Sequence, residues 1–247
     1  MPARARGHSQ RLTRMATIGQ LAADLTAQPF GDELAEWLAG LPRFRAFADL
    51  HRDKIRKKLR LATNPDALLD VRTELLVARL LLADRHVEIA FEPGGATRGG
   101  PDFAVTYRGG RAVNLEVTRP RRTDALAGPA RPILVKLRQL PPGAPNVLLL
   151  AVPTGAAVTW DVAGALRKVR ALADAKDERF FTSRGFAGTR DFYDRFLRLG
   201  AVVIWSEPAT APGLAQAWTN GSGRIPVPDR ALRACLAALA GPLLTGD

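Results

Sequence analysis

The sequence predicts an α/β fold: a mixed central sheet, antiparallel at its start and parallel beyond, behind a helical N-terminal extension. Three observations carry this. A meander of short strands runs through "VEIAF", "PDFAVTY" and "AVNLEVT", with a Gly-Gly turn before the last. Two later runs, "PNVLLLAVP" and "AVVIWSE", are apolar without alternation, the pattern of strands covered on both faces. Helical periodicity separates these runs, which calls for crossover connections and parallel pairing.

Taken in order, residues 1–14 carry Arg4, Arg6, Arg11 and Arg14 with almost nothing apolar, the composition of a flexible basic arm. From about Ile18 to Leu61 the pattern is helical in pieces, with "IGQLAADL" and "DELAEWLAGL" interrupted by Pro29 and Pro42. A helix over Arg43–Leu61 follows. Phe44, Phe47, Ile55 and Leu59 line one side of it, while Arg52, Arg56, Lys57, Lys58 and Arg60 crowd the rest. Such a face is either merely solvated or a surface that tracks phosphates. "NPDALLDVRTELLVARLLLADRH" then opens a long helix, with Asp66 placed to cap it or complement its dipole.

After the meander come a helix around Ile133–Leu140, the first buried strand, helices in "WDVAGALRKVRALADA" and "DFYDRFLRLG", and the second buried strand. An "NGSG" turn leads to a closing helix, "PDRALRACLAALAG", with Pro228 at its entry. Residues 1–65 therefore read as a basic helical extension and 66–247 as the α/β domain.

Composition bounds the function. The chain has 247 residues, 47% of them hydrophobic, enough to bury a core. Its net charge of +12 and pI near 11.0 favour a polyanionic partner, nucleic acid, with DNA ahead of RNA. The alternative source of that charge is a GC-rich genome that writes arginine freely. Residues 1–65 hold twelve Lys/Arg against six Asp/Glu, half of the excess charge in a quarter of the chain. The single Cys235 sits in an apolar helix as a small hydrophobe, and His8, His51 and His86 show no zinc spacing. The basic N-terminus lacks the apolar stretch of roughly 7–15 residues of a signal peptide. The longest apolar run, "VLLLAV", falls far short of the roughly 20 residues of a membrane span. These features point to a cytoplasmic protein without a membrane partner; a homodimer is compatible with them.

The chemistry concentrates in the meander. Asn114, Glu116 and Thr118 share one face of the third strand, and Asp102 opens the second. A two-residue Gly109-Gly110 loop sets Asp102 opposite Val117, on the wrong face. A three-residue loop, Arg108–Gly110, shifts the register by one and sets Asp102 opposite Glu116. Both loops suit the sequence. In the preceding helix Glu74 shares a stripe with Ala67, Val71, Ala78 and Leu81, so it needs a partner, a proton or a metal. Arg72, Arg79 and Arg119 are candidate partners. Carboxylates gathered at a hairpin end suit a hard divalent cation, Mg²⁺ or its substitute Mn²⁺, which activates water and offsets charge on a phosphate.

"PDF" followed by "LEV", fourteen residues from Asp102 to Glu116, resembles the core of the PD-(D/E)xK phosphodiesterase, or restriction-endonuclease-like, superfamily. The order of helix, meander, helix and buried strand over Asp66–Val152 is similar to its αβββαβ core. The resemblance implies a metal-dependent nuclease with Asp102, Glu116 and the helix acid Glu74 at the metal. It also implies a lysine two residues past the second acid, where this chain has Thr118. Arg119 is adjacent but points to the opposite strand face; Lys136, Arg138 or Gln139 on the following helix are the substitutes, Lys136 foremost. Arg119, Arg121 and Arg122 would hold backbone phosphates, as would Arg56, Lys57 and Arg60 on the basic helix. The rival expectation is a binding module of the same fold that has lost catalysis. A third is a scaffold protein in which all three acids merely pair with arginines.

Overall fold

A computed structural model describes residues 29–94, 100–121, 128–207 and 214–241. The expected basic arm at 1–14, the segment "IGQLAADL" and Arg122 lie outside the described residues. The chain divides into two compact units, Met1–Ala83 and Asp84–Asp247.

The first unit contains α1 (Gly31–Gly40), α2 (Pro42–Leu50), α3 (Arg52–Leu61) and α4 (Pro65–Ala83). The helix expected over Arg43–Leu61 is two helices. His51 takes φ −107° and ψ 14°, which ends α2 and starts α3 without any proline or glycine to mark the break. Pro42 sits at the start of α2, where its missing N–H has no intrahelical partner to lose. Asn64, rather than Asp66, caps α4: its Oδ1 accepts the Ala67 N–H at 2.9 Å, while Asp66 lies in the first turn. The core is aromatic. Trp37 meets Phe44 edge-on at 6.2 Å, and Phe44 stacks on Phe47 at 6.1 Å. Arg72 holds Glu33 through two bonds of 2.6 and 2.5 Å and lies over the Trp37 ring.

The second unit is built on a six-stranded open sheet in the order β1 (Val87–Phe91), β2 (Phe103–Tyr107), β3 (Val113–Thr118), β4 (Asn146–Ala151), β5 (Leu199–Ser206) and β6 (Leu214–Thr219). The meander is antiparallel and β3–β4–β5 is parallel, as expected. β6, which the sequence pattern does not show, returns antiparallel on the far edge. The helices between strands are α5 (Ala130–Leu137), then α6 (Thr154–Thr159), α7 (Val162–Asp174), α8 (Glu178–Thr182) and α9 (Thr189–Phe196); α10 (Asp229–Ala240) closes the unit. With these, ten helices are seen among the described residues.

Register decides which side chains share a face. Glu116 pairs with Leu148, and Leu148 with Val202. Leu148 and Val202 are buried with Ile133, Leu134 and Leu137 of α5 and with Leu166 and Phe196 of α7 and α9. Glu116 therefore projects from the face that α5 covers. On the opposite face α10 sets Leu232 and Cys235 against Val105, Leu115 and Val147. A recess of about 20 Å³ lies between them, room for about one water. Trp205 ties α10 down by donating to the Leu239 carbonyl at 3.0 Å.

Candidate active site

The β2–β3 turn settles the choice between the two hairpin registers. Arg108 and Gly109 both take positive φ, 51° and 66°, and the Gly110 N–H donates to the Tyr107 carbonyl at 3.0 Å. This is the backbone of a tight two-residue turn, for which Gly109 suits the left-handed region. The ladder nevertheless pairs Val105 with Val113 and Phe103 with Leu115, one residue out of step with that turn. The offset taken up after Gly110 yields the register of the three-residue loop, whose continuation by one residue beyond Phe103–Leu115 sets position 102 opposite position 116.

Asp102 stands one residue before β2. Its Oδ2 accepts the Val117 N–H at 2.8 Å. β2 begins at Phe103, so the ladder has run out opposite Val117, and the carboxylate supplies the acceptor that a longer strand would have offered. On its other side Asp102 continues the β1 ladder, its carbonyl accepting the Glu92 N–H at 2.8 Å.

Glu116 is buried in mid-strand, and Lys136 of α5 donates to its Oε1 at 2.7 Å, with side-chain exposures of 10% and 22%. A buried carboxylate needs such a counter-charge, because bare desolvation costs several kcal/mol. α5 is held on the sheet by Ile133, Leu134 and Leu137, all at 3% exposure or less, which fixes the point from which Lys136 reaches. Of the three substitutes for the missing lysine, Arg138 and Gln139 are exposed, and Arg138 donates to the Arg184 carbonyl at 3.1 Å. Thr118 is half-buried on the Glu116 face, opposite Leu150 of β4. Arg119 is half-buried and Arg121 exposed just beyond β3.

Glu74 belongs to the first unit, and there Lys58 of α3 pairs with it. Arg72 is engaged by Glu33, and Arg79 lies over Trp37 at 5.9 Å. Lys58 is thereby turned inward from the basic face of α3, where Lys57 and Arg60 are exposed and Arg56 half-buried. The scaffold expectation named arginines as the partners of the acids. Lysines pair with Glu74 and Glu116, and a backbone N–H donates to Asp102. Among the described residues, no group of three or more His, Cys, Asp or Glu side chains is placed to hold a metal ion.

Sequence reasoning missed Asn146. It is 1% exposed, and its Nδ2 is within bonding distance of the carbonyls of Pro141, Ala144 and Arg198 while its Oδ1 accepts from Asn114. This pins Asn114, two residues before Glu116, to β4. A single asparagine at the head of an apolar strand was the signal available.

Among the described residues no helix is long and apolar enough to cross a membrane. No family model matches the chain, and no curated protein or solved structure matches it either.

Proposed function

We propose that the unit Asp84–Asp247 is a nuclease-like domain whose β1–β2–β3–α5–β4 order is the βββαβ part of a restriction-endonuclease-like core, and that Asp102, Glu116 and Lys136 form a metal-dependent phosphodiesterase site acting on nucleic acid. One observation carries the reading. Asp102, just before β2, reaches the Val117 N–H beside Glu116 of β3 at 2.8 Å, and the Lys136 ammonium lies 2.7 Å from Glu116. Two acids and a lysine in that relation are more than strand pairing requires.

The residues fit a hard divalent ion. Mg²⁺ is commonly held by one or two carboxylates together with waters and substrate phosphate oxygens, so a two-acid site is sufficient. Asp102 and Glu116 would hold it. When bound, the ion supplies Lewis acidity for activating water and charge to set against the phosphate. Lys136 brings a cation beside Glu116, which Thr118 does not. A cation set against the charge developing on the phosphate is commonly worth about a hundredfold or more in rate. Arg119 and Arg121, just beyond β3, would grip backbone phosphates, and Arg56, Lys57 and Arg60 of the first unit would offer a second basic face.

A second reading rests on Thr118. A binding module of this fold that has lost catalysis needs no cation at that position, and it would bind nucleic acid without cutting it. The test is a cleavage assay on single- and double-stranded DNA and RNA with Mg²⁺ and with Mn²⁺. Metal-dependent cleavage that disappears in Asp102→Asn and Glu116→Gln is the expected result. Robust cleavage surviving both substitutions places the chemistry elsewhere. Salt-sensitive binding without cleavage selects the module, in which Thr118→Lys is expected to restore some activity.

A further inference from the structure

The Lys136–Glu116 pair bears on how this site would take up its ion. We infer that Lys136 is a displaceable counter-ion, which competes with the divalent cation for Glu116 and thereby couples metal loading to the arrival of a substrate phosphate. The inference rests on the metal-dependent reading above.

The parts of the site differ in how firmly they are anchored. Asp102 is held through its Oδ2 by the Val117 N–H. Glu116 is fixed by its place in the middle of β3, between two paired strands. α5 is fixed by three buried aliphatic side chains. The Lys136 side chain is the adjustable part: a flexible four-carbon stem with a compact ammonium at 22% exposure, able to swing away without disturbing the helix. Glu116 Oε1, the atom it contacts, belongs to the carboxylate that the ion would use.

Charge then dictates the order of events. Two carboxylates and one ammonium leave these groups with one net negative charge. A divalent ion entering alone turns that into one net positive charge and sets a second cation against Lys136. One phosphodiester offsets the added positive charge and gives the displaced ammonium a new partner. In a half-buried site uncompensated charge is costly, so ion and phosphate should bind better together than apart. Such coupling is reciprocal, and a factor of about tenfold lies within the usual range.

The experiment titrates Mn²⁺ into the full chain and follows free Mn²⁺ by electron paramagnetic resonance, so no turnover is needed. Wild type, Lys136→Met and an Asp102→Asn/Glu116→Gln control are compared with and without a phosphorothioate-linked oligodeoxynucleotide, which keeps its charge and resists cleavage. Lys136→Met should bind Mn²⁺ about tenfold more tightly than wild type. The oligonucleotide should tighten Mn²⁺ binding by about the same factor in wild type and by much less in Lys136→Met. Lys136→Gln, which keeps a hydrogen bond to Glu116 without the charge, serves if the methionine variant does not fold. Equal Mn²⁺ affinity in wild type and variant, with binding lost in the control, overturns the counter-ion role and leaves the metal site standing. Absence of Mn²⁺ binding in both overturns the metal-dependent reading itself.

Discussion

Replacing Asp102 by asparagine and by alanine separates its structural duty from its chemical one. The Val117 N–H belongs to a residue at 6% exposure, and its acceptor is Asp102 Oδ2 at 2.8 Å. Alanine removes that acceptor and strands a buried donor, which costs about 1–3 kcal/mol. Asparagine keeps a carbonyl oxygen in the same place. It forfeits the extra strength of a bond to a charged acceptor but also removes a half-buried charge that has to be desolvated. These effects oppose, so Asp102→Asn should stay within about 1 kcal/mol of wild type. Urea unfolding reads both values as shifts in midpoint at constant m. The same two proteins enter the cleavage assay, where both should lose metal-dependent activity. Asp102→Ala unfolding at the wild-type midpoint would show that the Val117 bond contributes nothing. Asp102→Asn as unstable as Asp102→Ala would show that the charge itself holds the fold, as a structural carboxylate would.

Three further outcomes are expected. Reversing Arg56, Lys57 and Arg60 to glutamate should weaken nucleic-acid binding and flatten its log–log salt dependence by about 0.9 for each phosphate no longer neutralised; an unchanged slope returns α3 to a solvated face. Burial pushes the Cys235 thiol up to about 12, so the folded protein at pH 8 should react with a disulfide reagent only as fast as it opens. Prompt stoichiometric labelling would contradict the packing of α10. Burial alone would raise the Asp191 carboxyl, but the Ala187 N–H and Arg195 outweigh it and hold it below the ordinary 3.8. Its folded value being depressed, Asp191 stabilises above its unfolded pKa, and that contribution disappears as pH falls through the folded one. The stability difference between wild type and Asp191→Asn, about 1 kcal/mol at neutral pH, should therefore shrink towards pH 3 in urea unfolding, and a difference that grows on acidification would refute the assignment.

Much of this molecule is legible along the chain because periodicity is a local property. "PNVLLLAVP" and "AVVIWSE" announce central strands by lacking alternation, and both become β4 and β5 with every strand residue buried. The mixed sheet follows from the helices between them, and the alternation of β3 already places Asn114, Glu116 and Thr118 on one face. "LAQAWT" gives no such signal. β6 is an edge strand, mostly exposed, so neither burial nor alternation marks its composition. The break at His51 is equally silent, since α2 and α3 part through backbone geometry alone.

What only the tertiary structure decides is which charges meet. Both hairpin loops suit "TYRGGRAV"; the register that sets Asp102 against Glu116 was chosen by pairing on both sides of β3, to β2 and to β4, which no local pattern contains. Lys136 was one of three candidates on its helix until α5 packed by Ile133, Leu134 and Leu137 and turned that one side chain toward Glu116. Glu74 declared itself a polar residue on an apolar stripe, but Lys58 reached it from α3, sixteen residues upstream, once the two helices packed together. Strand and helix patterns arise from neighbours along the backbone, whereas ion pairs arise from distances across it, and those exist only after the chain has folded.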